Sequence, residues 1–193
     1  MITTTHAIVN SALLGRKERP THYWPVILGA VLPDLPMILF ALFYLLHQSH
    51  FPMTSGYVSE YRLRQLWTDW GHSIPLALAA ALVCFLVRFQ SGLYFSLSMF
   101  LHSLEDLPVH SEYAHRHFLP FSNYRFYSPI SYWNPQYHAR IVAPLEWLVI
   151  LACITILWRR GLKPWAQVLL LFIGIFQGLW LLYFYGGVHW KGL

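Results

Sequence analysis

Charge is what this chain has least of. Only 11% of its 193 residues are Asp, Glu, Lys or Arg, whereas 56% are hydrophobic and 18% aromatic. Soluble domains usually carry about 25% charge. The shortfall argues against an ordinary water-soluble globule and makes lipid the main solvent. Cysteine is almost as scarce. Cys84 and Cys153 both sit in apolar runs and neither belongs to a Cys-x-x-Cys pair, which excludes a cysteine-rich zinc site and leaves two small hydrophobes. No basic run exceeds Arg16-Lys17-Glu18-Arg19, so the net charge of +5 is not a nucleic-acid footprint, and no nucleic-acid partner is expected. It fits the Lys and Arg enrichment of cytoplasmic membrane loops. The first residues lack a basic stretch followed by a continuous apolar core, so they do not read as a secretory signal. No internal repeat is visible.

What is there is a series of long apolar runs. Each membrane helix needs about 20 apolar residues, so the length suits one domain over residues 1–193. The predicted fold is all-α: a polytopic membrane bundle of five or six helices. Residues 2–15 read as a short helix with threonine N-caps and a Gly15 stop. Residues 24–47 form the first long run, interrupted at Pro33 and Pro36 with Asp34 between them. Residues 48–70 are a mixed loop. An apolar helix follows from Ser73 to about Phe89, with Pro75 in its first turn. The next covers 92–107 and ends at Pro108. Residues 109–140 are polar, aromatic and proline-containing, and predict an ordered, irregular outer cap. Residues 141–158 and 165–185 are two further spans.

If the spans alternate, Arg16, Lys17, Arg19, Arg88, Arg159, Arg160 and Lys163 share one side. The positive-inside rule makes it cytoplasmic. The cap and the histidine-rich segments then lie on the extracytoplasmic side.

Ionisable groups inside apolar segments are costly and point to function. His102, Asp106 and His110 are spaced i, i+4, i+8, which places them on one helix face. Imidazole and carboxylate are the usual ligands of zinc and similar divalent ions. His6, Asp34, His72, His102 and Asp106 are the predicted metal set, with zinc the expected ion. Asp69 and His110 are acid/base candidates. His115, Arg116, His117 and Arg125 at the start of the cap are candidate contacts for an anionic substrate. Glu105 points about 100° away from Asp106 on a helix and is set aside.

Four short segments carry a resemblance. Thr5-His6, Gly29-Ala30-Val31-Leu32-Pro33-Asp34, Gly71-His72-Ser73 and His102-Ser103-Leu104-Glu105-Asp106 occur in the order found in bacterial membrane-bound metal-dependent hydrolases, the YdjM-like family. That family is considered distantly related to zinc-dependent phospholipase C. The resemblance covers roughly the first 110 residues and implies the same five metal positions. Pro36 stands where the family has a second carboxylate, and only His72-Ser73 remains of a longer histidine motif, so one metal is expected rather than two. Asp69 is the one residue placed to substitute for a missing ligand.

The expected function is therefore membrane-embedded hydrolysis of a phospholipid or other phosphoester, with metal-bound water as nucleophile and membrane lipid as partner. The alternative is a non-enzymatic membrane protein, moving metal or protons or serving a structural, partner-binding role. The last two spans carry only Glu146, Gln167 and Gln177 as strongly polar residues. That asymmetry favours a one-sided site over a pathway.

Overall fold

A computed structural model describes residues 1–46, 65–112 and 114–185. Most of the expected 48–70 loop, His50 included, lies outside the described residues, as do His47 and His189. The described residues are helical, with no strand among them. The helices are α1 (Thr3–Leu14), α2 (Tyr23–Val31), α3 (Leu35–Leu46), α4 (Gln65–Gly71), α5 (Ile74–Leu86), α6 (Gln90–Asp106), α7 (Ala139–Arg159) and α8 (Pro164–Tyr185).

Among these, three stretches are long and apolar enough to cross a membrane: Pro20–Phe43, Ala139–Arg159 and Pro164–Tyr185. A fourth is obtained if α4 and α5, bent by 45° at His72 and Ser73, count as one span. The expected five or six spans are thus not reached among the described residues. At 17 residues, α6 is short for a span. It lies instead at the centre, packed against α1, α2 and α5.

The burial pattern is inside out. His6, Asn10, His72, Ser98, His102 and Ser103 have no exposed surface, while Leu45, Leu86 and Val87 are about two-thirds exposed (65%, 68% and 67%). Water would drive the reverse; lipid tolerates it. With lipid tails as apolar as leucine, helix association falls to close packing and interhelical hydrogen bonds. Both are present. Asn10 Nδ2 donates to the Ser98 carbonyl and to Ser98 Oγ, each at 2.9 Å, and Ser98 Oγ donates to the Val26 carbonyl at 2.6 Å. One polar ladder thus ties α1, α6 and α2. Gly29 lets α2 approach α6: a Cβ there would stand 2.2 Å from the Phe95 carbonyl oxygen.

Two expectations about local structure change. The Pro33–Pro36 break is milder than a helix end. Residues Leu32–Asp34 tighten into one 3-10 turn between α2 and α3, and the run continues. The α1 threonines do not cap it. Ile2 takes the N-cap position, and Gly15 is extended rather than left-handed. Thr5 Oγ1 donates to Glu146 at 2.6 Å, the Ile2 N–H donates to the same oxygen at 3.0 Å, and Gln177 Nε2 donates to Thr4 Oγ1 at 2.6 Å. Two of the three polar residues of the last spans therefore anchor the start of α1.

The other end of α1 is held by Arg160, which donates to the Gly15 carbonyl at 2.7 Å. The basic loops around Arg16 and Arg160 meet there. That end lies about 18 Å of helix away from Thr3.

Candidate metal centre

Four of the five expected ligands converge. Asp34, His72, His102 and Asp106 are all buried, and each offers one donor atom within 4.8 Å of the others. They arrive on three structural devices. Asp34 is presented by the 3-10 turn that Pro33 imposes. His72 sits at the bend between α4 and α5, where Ser73 caps α5 by accepting the Leu76 N–H. His102 and Asp106 share a face of α6 at i, i+4.

The geometry is tetrahedral in scale. His72 Nε2 and His102 Nε2 are 3.1 Å apart. Asp106 Oδ2 lies 3.3 Å from the first and 3.2 Å from the second. Asp34 Oδ1 lies 3.7 and 3.6 Å from the same two nitrogens. Four donors at about 2.0–2.1 Å from one ion, at the tetrahedral angle, stand about 3.3–3.4 Å apart.

The outer bonds fix the tautomers. His72 Nδ1 donates to the Thr68 carbonyl, and His102 Nδ1 donates to the Ala30 carbonyl, both at 2.7 Å. A carbonyl only accepts, so the proton of each neutral ring is on Nδ1. With both rings neutral, the two Nε2 lone pairs face each other at 3.1 Å, an arrangement that a cation between them would satisfy. This is the backbone-carbonyl support typical of metal-ligating histidine. Gly29 contributes here too, since the close α2–α6 approach brings Ala30 within reach of His102. Two carboxylates and two neutral imidazoles carry a charge of −2, which a divalent ion cancels in an apolar interior. Nitrogen and oxygen donors without sulfur suit zinc, among other divalent metals.

His6 stands beside the four, not among them. Its Nε2 is 3.0 Å from Asp106 Oδ1, the oxygen turned away from His72 and His102, and its Nδ1 is 2.6 Å from Glu105 Oε2. Its ring stacks on His102 at 3.8 Å. The Met1 amine reaches the same Asp106 oxygen. Thr3 Oγ1 donates to Asp34 Oδ2 at 2.5 Å, leaving Oδ1 for the histidines. Glu105 and Thr3 are the contacts that the sequence left out. Glu105 is met by α1 from the side, so its 100° offset from Asp106 does not remove it from the site. Thr3 lay in a cluster that also suited helix capping.

The cap residues take different places from those expected. Asp69, fully buried, receives Arg116 Nε at 2.8 Å, the Arg116 N–H at 3.1 Å, and two bonds from Arg125 at 2.6 and 3.0 Å. Both oxygens are occupied, so Asp69 fastens the cap and has no lone pair ready for proton transfer. Arg116 and Arg125 are spent on it, rather than facing an open substrate site.

His115 stacks on His72 at 3.8 Å, and His117 Nδ1 lies 3.2 Å from the His72 carbonyl. Both form the wall over the metal set. His110 Nδ1 donates to the Asp106 carbonyl at 3.0 Å. Asp106, His110 and His115 make a second trio within 4.8 Å, which shares Asp106 with the first. Burial pushes the pKa of His110 and His117 down to about 4, and that of His115, with a smaller contribution from His72, down to about 3. All three are neutral near pH 7. In that state His110 is a poor proton acceptor near neutral pH, which argues against the acid/base role expected of it.

Compared with protein-family models, curated proteins and solved structures, the chain finds no match.

Proposed function

We propose that this protein is a membrane-embedded, metal-dependent hydrolase of phosphoesters, with zinc held by Asp34, His72, His102 and Asp106. The observation that carries the reading is the four-donor geometry: the two imidazole nitrogens are 3.1 Å apart, each carboxylate stands 3.2 to 3.7 Å from both, and all four donors lie within 4.8 Å of one another, with Nδ1 of each histidine donating to a carbonyl. Kinship with the YdjM-like hydrolases is part of the proposal and rests on the four short motifs.

A zinc ion held there would supply Lewis acidity, polarising a phosphoryl oxygen and, with a water taken as a fifth ligand beside the four residues, bringing that water's pKa toward about 7. The chain's own residues do the rest. Thr3 and His6 hold the outer oxygens of Asp34 and Asp106, so the inner oxygens keep a fixed aim. Glu105 orients His6. Neutral His110 donates to the Asp106 carbonyl and so braces the end of α6. The cap, pinned through Asp69, keeps bulk water off the buried rings.

The proposed address is a bacterial inner membrane with the site on the extracytoplasmic side. Arg160 supports it by joining the basic loops at the end of α1 away from Asp34 and Asp106. No specific observation favours transport: the polar residues gather at one end of α1, and Glu146 and Gln177 are committed to anchoring it.

The test is turnover of a phosphoester panel by purified, zinc-loaded protein, alongside H102A and D34A. The reading expects activity and bound zinc to be lost together in both variants. Retention of either in both variants overturns it.

A further inference from the structure

A cavity of about 1080 Å³ opens beside the metal set. This exceeds the usual 300–1,000 Å³ of a small-molecule site. Its walls come from four places: the first residues of the chain, Met37 on α3, the cap around Trp133, and the outer half of α8 from Phe172 to Tyr185. The α8 wall is apolar and faces outward, with Phe172 and Phe176 more than half exposed (64% and 58%) on a helix long enough to span a bilayer. Met1 to Thr4 line it as well, and Thr4 meets α8 through Gln177. Thr3 donates to Asp34, and the Met1 amine reaches Asp106. A single residue layer thus separates an apolar groove open to the bilayer from two of the four metal ligands.

We infer that this groove receives an acyl chain of a membrane lipid, and that the lipid's phosphoester head is what the metal centre hydrolyses. The inference rests on the hydrolase reading for its second half only. The occupant follows from the surfaces. The α8 side is apolar and faces lipid, so a chain slides in from the bilayer without crossing water. It gains little free energy by the transfer, because lipid tails and the groove are alike apolar. The groove therefore acts by position: it fixes where the head lies relative to Asp34 and Asp106. Polar groups enter the lining near the cap and the start of α1, where Asn134, Gln136 and Thr3 stand, next to the place the head has to reach. None of the apolar wall residues belongs to the metal set.

The experiment uses the full-length, zinc-loaded protein in vesicles of phosphatidylglycerol containing a trace of the same lipid with a diazirine in its acyl chain. Irradiation and peptide mapping read where the chain lies. Labelling at residues 172–180 is expected to exceed that on the outer face of α5 around Phe85, which contacts bulk lipid only. In M37W, which fills the groove from the α3 side, labelling should drop to that background. Equal labelling of the two faces, or no response to M37W, overturns the groove.

A second arm compares long-chain with short-chain, water-soluble phosphoesters. M37W should lower the long-to-short ratio of kcat/KM by about tenfold, the scale on which a hydrophobic pocket discriminates; an unchanged ratio overturns the catalytic half. If neither substrate is turned over, the hydrolase reading fails, while the crosslinking arm still decides the groove.

Discussion

Asp69 and Asp106 are both buried carboxylates at the cap end of the molecule, and they are satisfied in opposite ways. Asp69 is met by two guanidinium groups and a backbone N–H, all supplied by the cap. Its charge is cancelled within the protein. Asp106 turns one oxygen to His6 and Met1 and the other to the Nε2 atoms of His72 and His102. The first arrangement is complete as a fastener. The second is completed by a cation. Burial alone therefore does not mark a functional carboxylate; the nature of the neighbouring donors does.

The widest gap between the two clusters is expected in metal binding. H102A or D106A should weaken zinc binding by more than the 10–100-fold that follows loss of a merely orienting partner. D69A should leave one-to-one zinc stoichiometry intact. Equilibrium titration against a competing chelator measures both. D69A should instead lose stability, because it strands two partly buried guanidinium groups. About 3 kcal/mol is the scale for breaking such a cluster, or on the order of 6–12 °C in Tm for a chain of this size. A Tm within 2 °C of the parent would show that the cap is held by other contacts.

Zinc removal sharpens the contrast. Zinc at a hundredfold excess over Kd should raise the stability of the parent and of D69A by the same amount, about 2.7 kcal/mol. It should do nothing for H102A. Thermal melts with and without zinc decide this. A smaller effect is expected at Thr3, whose hydroxyl only orients Asp34. T3V should cost about tenfold in zinc affinity, with stoichiometry kept.

The smallest expected effect concerns pH, in metal-free protein. Unfolded imidazoles take up protons near 6.5, whereas His110 and His117 resist until about 4 and His115 until about 3, chiefly through burial. Their folded pKa values lie below the unfolded one. The stability they support is therefore complete above about 6.5 and is lost as pH falls from there through 4. Limited proteolysis of the cap should accelerate over that window. A flat profile between pH 7 and 4 would contradict the buried, neutral placement.

Much of this was legible in the chain, and the gaps have physical reasons. The His102/Asp106 spacing, Pro108 just past the helix, and the Ser73–Pro75 start of α5 are local signals, and each reappears in the structure. The outer cap was legible as an ordered loop from its aromatic content. The place of His6 was not. Whether an imidazole reaches the shared point or the far oxygen of the same carboxylate depends on a few ångströms of helix placement. The Asp69 clamp was hidden for another reason. Its partners lie 47 and 56 residues away, and the charges of Arg116 and Arg125 pointed equally well to an anionic ligand. The count of five or six spans is not confirmed among the described residues, where α6 is central, polar on one face and short for a membrane crossing.

The central claim is that Asp34, His72, His102 and Asp106 form one four-donor site. Zinc X-ray absorption on the purified, stoichiometrically loaded protein tests it most directly. The account predicts the four protein donors and one water, five nitrogen or oxygen scatterers at about 2.0–2.2 Å, an imidazole outer-shell signal fitted by two rings, and no sulfur. A six-oxygen shell without imidazole, or a sulfur scatterer near 2.3 Å, would contradict it.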